Sequence, residues 1–324
     1  MSDFTKTNKG LLFFKIFARP PYRLWLRLLN YLHTGYNRVL QVILISNISK
    51  TPVVSCVLHG RPEIHSLVSH RHVYNYILEI KSFLRFYNDV TVIVHDGGDN
   101  DSLTKKDKRT LKKHIKNITI IDRDYADVKI NKILDHYPNC RRYRDEYVSA
   151  LQLFDYMLLC ESEKIVSLDS DLLFFKKPDI LIDWLHDGKK TVYFWEEEPH
   201  GTREFLAKIN MADCFAGVNI GLLCFYKETM NLDLIEHILS KPKIFDWMIP
   251  QWVYTVLLKE QEKHELSYFD PSQYQDFTRF SDGQTARHYY FSMGPRGIYF
   301  SDCKKIVREL SNASNADKVQ KRYW

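Results

Sequence analysis

Residues Glu163–Pro178 read EKIVSLDSDLLFFKKP, two aspartates inside an otherwise apolar run. Ile165, Val166 and Leu168 precede Asp169, and Leu172, Leu173, Phe174 and Phe175 follow Asp171. A short apolar run closed by a proline reads as a buried strand, and a buried strand has no place for carboxylates stripped of their hydration. Side chains at i and i+2 of an extended segment project to the same side, so Asp169 and Asp171 converge. Two bare carboxylates at one point repel each other and raise a pKa unless a cation sits between them. A hard divalent cation, Mn²⁺ or Mg²⁺, removes that repulsion and accepts further oxygen ligands from a diphosphate. The competing reading is a polar turn at a strand end, where Asp and Ser are common.

Outward from this stretch, strands and helices alternate. PVVSCVLHG (52–60) reads as a first buried strand ending at Gly60, and VYNYILEIKSFLRFY (73–87) spaces its apolar residues as a helix does. DVTVIVHDGG (89–98) is a second strand running into a His-Asp-Gly-Gly turn, SLTKKDKRTLKKHI (102–115) a polar helix, and NITIIDRD (117–124) a third strand. RDEYVSALQLFDYMLL (144–159) reads as one helix, and the opening stretch follows it as the fourth strand. Alternation of this kind predicts an α/β fold, a mostly parallel, Rossmann-like sheet with flanking helices. Ligands of such sheets bind beyond the carboxyl ends of the strands, which places His59-Gly60, His95 to Gly98 and Asp169-Ser170-Asp171 along one edge.

Composition bounds the function. With 324 residues, 45% apolar and 14% aromatic, a substantial core is expected. A net charge of +6 permits an anionic partner and is too dispersed to argue for nucleic acid. The six cysteines form no CxxC pair, so a structural zinc site is not expected, and buried free thiols in a reducing compartment are preferred over disulfides. No apolar run reaches the roughly 18 residues of a membrane span, and the start of the chain reads as neither signal peptide nor span. Residues 1–52 form a basic, aromatic extension with a helix expected from Tyr22; it either lies on an anionic membrane surface or packs on the domain. An α/β domain is expected over 53–312 and a basic tail over 313–324. The expected location is cytoplasmic, with peripheral contact to the inner face of a membrane as the option that the basic termini raise.

VSLDSDLLFFKKPDIL (166–181) resembles the metal-binding region of GT-A-fold glycosyltransferases, especially those similar to glycosyltransferase family 8. The resemblance runs over roughly residues 53 to 305. CFAGVNIGLLCFYKE (214–228) looks like that family's Asn-small-Gly strand, with Asn219 and Gly221 at the matching places; ARHYYFSMGPRGIYF (286–300) looks like its late histidine segment. The match implies Asp169, Asp171 and His288 as metal ligands, with Asp169 and Ser170 on the donor side. RRYRDEYVSALQLFD (141–155) resembles the preceding helix, but carries Gln152 where the family often has lysine. DWMIPQWVYTVLL (246–258) resembles an acceptor-side helix, with Pro250 before Gln251 in place of an acid.

Other candidates divide between ligand contact and plain structure. His59, Gly60 and Arg61 would meet the nucleotide, as would Asp96 in the second turn; exposed turns are the alternative. Arg123 suits an oxyanion with its planar fork or an ion pair with Asp124 or Asp127. In YFWEEEPHGTREF (193–205), Glu196 or Glu197 would activate an acceptor hydroxyl as a base or hold a sugar hydroxyl; a solvated acidic turn is the alternative. Arg296 would stabilise the leaving diphosphate. Together these readings predict a metal-dependent hexosyltransferase using a nucleotide-diphosphate sugar, with an acceptor hydroxyl on a glycan or lipid-linked glycan; the resemblance to family 8 implies a UDP-linked donor and retention of configuration, an outcome that no residue of the chain fixes by itself. The alternatives are a sugar-phosphate nucleotidyltransferase, for which no glycine-rich basic signature stands near the N-terminus, and a non-catalytic scaffold on the same fold.

Overall fold

The computed structural model describes residues 37–97, 101–241, 245–260, 265–276, 283–290 and 296–320, with the side chains of 296 and 313–320 outside the description. The helix expected from Tyr22 and the residues Gly98 and 321–324 therefore lie outside it. The chain divides into two units, Met1–Asn47 and Ile48–Trp324. The described part of the first is helical, in a helix over 37–48 (α1).

The second unit is the α/β body that the alternation predicts. Its central sheet has seven strands in the order β10-β8-β9-β6-β2-β3-β5. These are β2 (Glu63–Val68), β3 (Thr91–Asp96), β5 (Thr119–Ile121), β6 (Lys164–Leu168), β8 (Thr191–Trp195), β9 (Val218–Tyr226) and β10 (Leu266–Tyr268). All neighbours pair in parallel except β9, which runs against both β6 and β8. A second sheet, β11 (Tyr274–Asp276), β12 (Ala286–His288) and β7 (Leu172–Phe174), carries the chain leaving the two aspartates. Two short strands, β1 (Val54–Ser55) and β4 (Ile115–Lys116), pair separately.

Helices fill both faces. Helix α2 (Val73–Leu84) is enclosed almost all round, from Tyr76 to Leu84. Helix α3 (Lys105–His114) starts on a capping box between Thr104 and Asp107. Then come α4 (Arg123–Ile133), α5 (Pro138–Glu146), α6 (Ala150–Leu159), α7 (Asp179–Asp187), α8 (Thr202–Lys208), α9 (Leu232–Leu239), α10 (Ile249–Glu260) and α11 (Arg296–Gln320). All six cysteines are free. Among the described residues no helix is long and apolar enough to cross a membrane.

Two expectations are corrected here. The first central strand is not 52–60 but EIHSLV, Glu63–Val68; only Val54–Ser55 of the expected stretch is extended in a ladder. Glu63, His65 and Ser66 disguise the strand as polar, yet all three are buried. Burial is tolerated because the charges are satisfied: Glu63 bonds His65 at 2.9 Å and takes the backbone N–H groups of Glu161 and Ser162, while His65 bonds His95 at 2.9 Å. Gly60, at φ +79°, turns the chain into the amino end of this strand. His59, Gly60 and Arg61 therefore sit at the amino edge of the sheet and not at its ligand-bearing carboxyl edge.

The helix expected over 144–159 is also two helices, broken at Tyr147, whose backbone is extended. The break lets Arg144 turn inward, fully buried, with Nε and Nη2 on Asp155 at 2.8 and 3.0 Å and Nη1 on Asp127 at 2.7 Å. This ion triad joins α4, α5 and α6. The Tyr147 hydroxyl meanwhile donates to the Phe245 carbonyl at 2.8 Å.

Candidate active site

Strand β6 ends at Leu168 on the carboxyl edge, and Asp169-Ser170-Asp171 turn the chain into β7. The turn is pinned from three sides. Asp169 N–H donates to the Gly221 carbonyl at 2.9 Å, Tyr289 N–H donates to the Asp171 carbonyl at 3.0 Å, and Gln152 in α6 donates its amide to Asp169 Oδ1 at 2.8 Å. Antiparallel pairing of β12 with β7 sets His288 opposite Leu172. His288 Nε2 then lies 2.9 Å from Asp171 Oδ1 and 3.5 Å from Asp169 Oδ2. One ligand atom from each of the three residues falls within 4.8 Å of the others.

Packing holds the imidazole in this position. Its ring centroid is 4.2 Å from that of Tyr290 and 5.7 Å, edge-on, from Phe194. On a third side Gly221 leaves it room, since a Cβ there would approach Cε1 to 2.2 Å. Burial works against a charge on His288, but Asp171 and Asp169 outweigh it and lift its pKa to about 10. Two carboxylates and one imidazole nitrogen form a donor set suited to Mn²⁺, or with less nitrogen preference to Mg²⁺. The side chain of Glu79 lies behind the aspartates, fully buried, with neither oxygen hydrogen-bonded; burial and the two aspartates push its pKa well up.

A second group of residues adjoins this cluster. Asn219 in β9 donates both amide hydrogens, to Glu196 Oε2 at 2.8 Å and to the Tyr290 hydroxyl at 2.8 Å, and accepts from Gly221 N–H at 2.8 Å. Burial raises the pKa of Glu196, and the Asn219 bond opposes that rise. Gln251 is buried in the first turn of α10 beside Glu196, and its side chain, like that of Asn219, works against the rise in the Glu196 pKa. A cavity of about 220 Å³ opens here between residues 194–198 and Pro271, Tyr274 and Asp276. Glu197 is exposed at its rim. Glu198 pairs at the surface with Arg203 at 3.0 Å.

The remaining candidates are placed elsewhere or engaged otherwise. Asp96 is at the carboxyl edge, level with Val68, but it accepts from Leu103 N–H at 2.8 Å and pairs with Lys108 at 3.0 Å. Arg123 pairs with Asp127 at 2.8 Å, one helical turn on. At the amino edge, Arg61 pairs with Asp89 at 3.0 Å and His59 approaches Glu161 at 3.8 Å. Ser170 is half-buried in the turn between the two aspartates, and the side chain of Arg296 lies outside the described residues. Sequence reasoning missed Tyr290 and His72. His72 sits at the start of α2, where burial lowers its pKa and Asp171 raises it. Gln152 was visible only as a departure from the family's lysine.

No model of a protein family matches the chain, and no curated protein matches it. Solved structures do. The chain is similar to the galactosyltransferase LgtC, solved with donor and acceptor sugar analogues, with a TM-score of 0.49 and 16% identity over 78% of this chain and 95% of that one. It is similar to mouse xyloside xylosyltransferase 1, at 0.44 and 12% over 75% of this chain and 100% of that one. It is similar to the mannosyltransferase Ktr4p from S. cerevisiae, at 0.42 and 11% over 72% and 78%. What this chain can do chemically follows from its own residues at the carboxyl edge.

Proposed function

We propose that this chain is a metal-dependent glycosyltransferase that moves a hexose from a nucleotide-diphosphate sugar, UDP-linked, to an acceptor hydroxyl on a glycan or lipid-linked glycan, with retention of configuration. The observation that carries the proposal is the convergence of Asp169, Asp171 and His288 on one point at the carboxyl edge of a mostly parallel sheet. These three residues would hold Mn²⁺ or Mg²⁺. When bound, the ion supplies positive charge against the departing diphosphate.

The other roles belong to the chain itself. Gln152 orients Asp169 through the bond to Oδ1, and Gly221 keeps the imidazole seat open. Asn219 holds Glu196 by one amide hydrogen at the wall of the 220 Å³ cavity. There Glu196 accepts a hydrogen bond from a sugar or acceptor hydroxyl, and burial, which raises its pKa, makes its carboxylate the more basic. Glu197 and Gln251 belong to the same acceptor side. Ser170, Asp96 and Arg296 are proposed on the donor side. An anionic membrane surface is the proposed partner of the basic N-terminus, which would set the protein at the cytoplasmic face of a membrane near a lipid-linked acceptor.

The test is release of nucleoside diphosphate from a panel of nucleotide sugars with Mn²⁺, with Mg²⁺ or with EDTA. Release from one donor, requiring metal and lost in Asp171→Ala, is the expected result. Release that survives EDTA or Asp171→Ala would overturn the proposal.

A further inference from the structure

Tyr290 has a backbone φ of +45°, in the left-handed region that a bulky side chain rarely adopts. Such a conformation persists where the surroundings over-determine it, and it is concentrated at working sites. Here it turns the chain sharply two residues beyond His288. The turn lays the tyrosine ring against the imidazole, centroids 4.2 Å apart, and brings the hydroxyl to 2.8 Å from Asn219 Nδ2.

We infer that Tyr290 is a positioning residue that locks the half of the site carrying His288 to the half carrying Glu196. The inference rests on the proposed reading of Asp169, Asp171 and His288 as ligands of a divalent cation. Asn219 is the link. Its amide nitrogen has two hydrogens, one on Glu196 and one on Tyr290, and its oxygen takes Gly221 N–H. An amide with both hydrogens committed inside the protein orients its neighbours and does not reach a substrate. Without the tyrosine oxygen, one amide hydrogen loses its acceptor in a desolvated site, the amide is released to rotate, and Glu196 loses its fixed aim. Without the ring, His288 keeps Phe194 and Gly221 on two sides but loses the wall on the third.

The two parts of the side chain have separable consequences, which a merely structural residue would not show. The experiment uses the full chain, Tyr290→Phe and Tyr290→Ala, and measures Mn²⁺ affinity by calorimetry, melting temperature, and kcat and KM for donor hydrolysis. Tyr290→Phe keeps the ring, so Mn²⁺ affinity and donor KM stay at wild-type values and the melting temperature drops by only a few degrees, while kcat falls about tenfold, the size of one net hydrogen bond. Tyr290→Ala shows the same fall and also weakens Mn²⁺ about tenfold, as loss of a residue supporting a ligand does. Wild-type kcat in Tyr290→Phe would overturn the inference. So would variants that lose melting temperature together and keep wild-type Mn²⁺ affinity. A wild-type chain that takes up no Mn²⁺ would instead overturn the ligand reading itself, and the inference with it.

Discussion

A Cβ on Gly221 would lie 2.2 Å from Cε1 of His288 and 2.9 Å from Oδ1 of Asn219, so the residue at position 221 sets where the imidazole can sit. The His288 ring is wedged against this strand and against Tyr290. Replacing Gly221 with alanine displaces the ring rather than the strand, because β9 is paired on both sides. We expect Gly221→Ala to fold and to bind Mn²⁺ at least tenfold more weakly, as misplacing a ligand does. Calorimetric titration with Mn²⁺, alongside a melting curve, checks this; unchanged affinity would show that the ring is not where metal binds.

Metal and protons compete for His288. Its folded pKa of about 10 lies above the unfolded value, so without metal the protonated ring adds stability that is fully present below about pH 6.5 and is lost as pH rises through 10. A metal ligand must be the neutral ring, so binding near pH 7 displaces about one proton. Titrations of Mn²⁺ in buffers of different ionisation enthalpy should give that proton count. Melting curves in EDTA should fall from pH 6.5 toward 10.

The Arg144 triad predicts a large stability effect away from the site. Arg144→Ala leaves Asp155, 1% exposed, with its charge uncompensated, and should cost about 3–5 kcal/mol in urea unfolding. The double change Arg144→Met, Asp155→Leu removes both charges and should recover most of that loss. A single variant near wild-type stability would show that the triad is not a determinant of how α4, α5 and α6 pack.

A second pH signature lies in the buried pair Lys81 and His114. Lys81 Nζ donates to Thr51 Oγ1 at 2.8 Å and the Pro52 carbonyl at 2.6 Å, and lies 3.0 Å from His114 Nδ1. The bond requires neutral His114, whose pKa burial and the lysine charge lower to about 4. The unfolded histidine takes up a proton near pH 6.5, so stability is full above that value and falls between 6.5 and 4, by about 2 kcal/mol. His114→Asn keeps an acceptor and removes this titration, so its stability should decline less over that interval than that of wild type; an equal decline would contradict the assignment.

How much of this was legible in the sequence depended on how local the cause was. Asp169 and Asp171 announce themselves because i and i+2 share a side and their neighbours are apolar. The Arg123–Asp127 pair is likewise visible as an i, i+4 spacing. Strand β2 was hidden because its polar residues are satisfied by partners far along the chain, Glu161, Ser162 and His95. That concealment moved His59, Gly60 and Arg61 to the wrong edge. The break at Tyr147 was hidden for the same reason, since its causes are Asp127, Asp155 and Phe245. His288 entered only through a family resemblance, and Tyr290 did not enter at all. Its place depends on a left-handed turn and on a partner 71 residues earlier.

The most direct measurement is calorimetric binding of UDP to the full chain in Mn²⁺ and in EDTA, with wild type and Asp171→Ala compared. The account predicts binding that requires Mn²⁺ and disappears in Asp171→Ala while the variant keeps its fold. UDP binding of equal strength in EDTA, or binding in Mn²⁺ that Asp171→Ala leaves intact, would contradict a cation held by Asp169, Asp171 and His288 as the seat of the diphosphate.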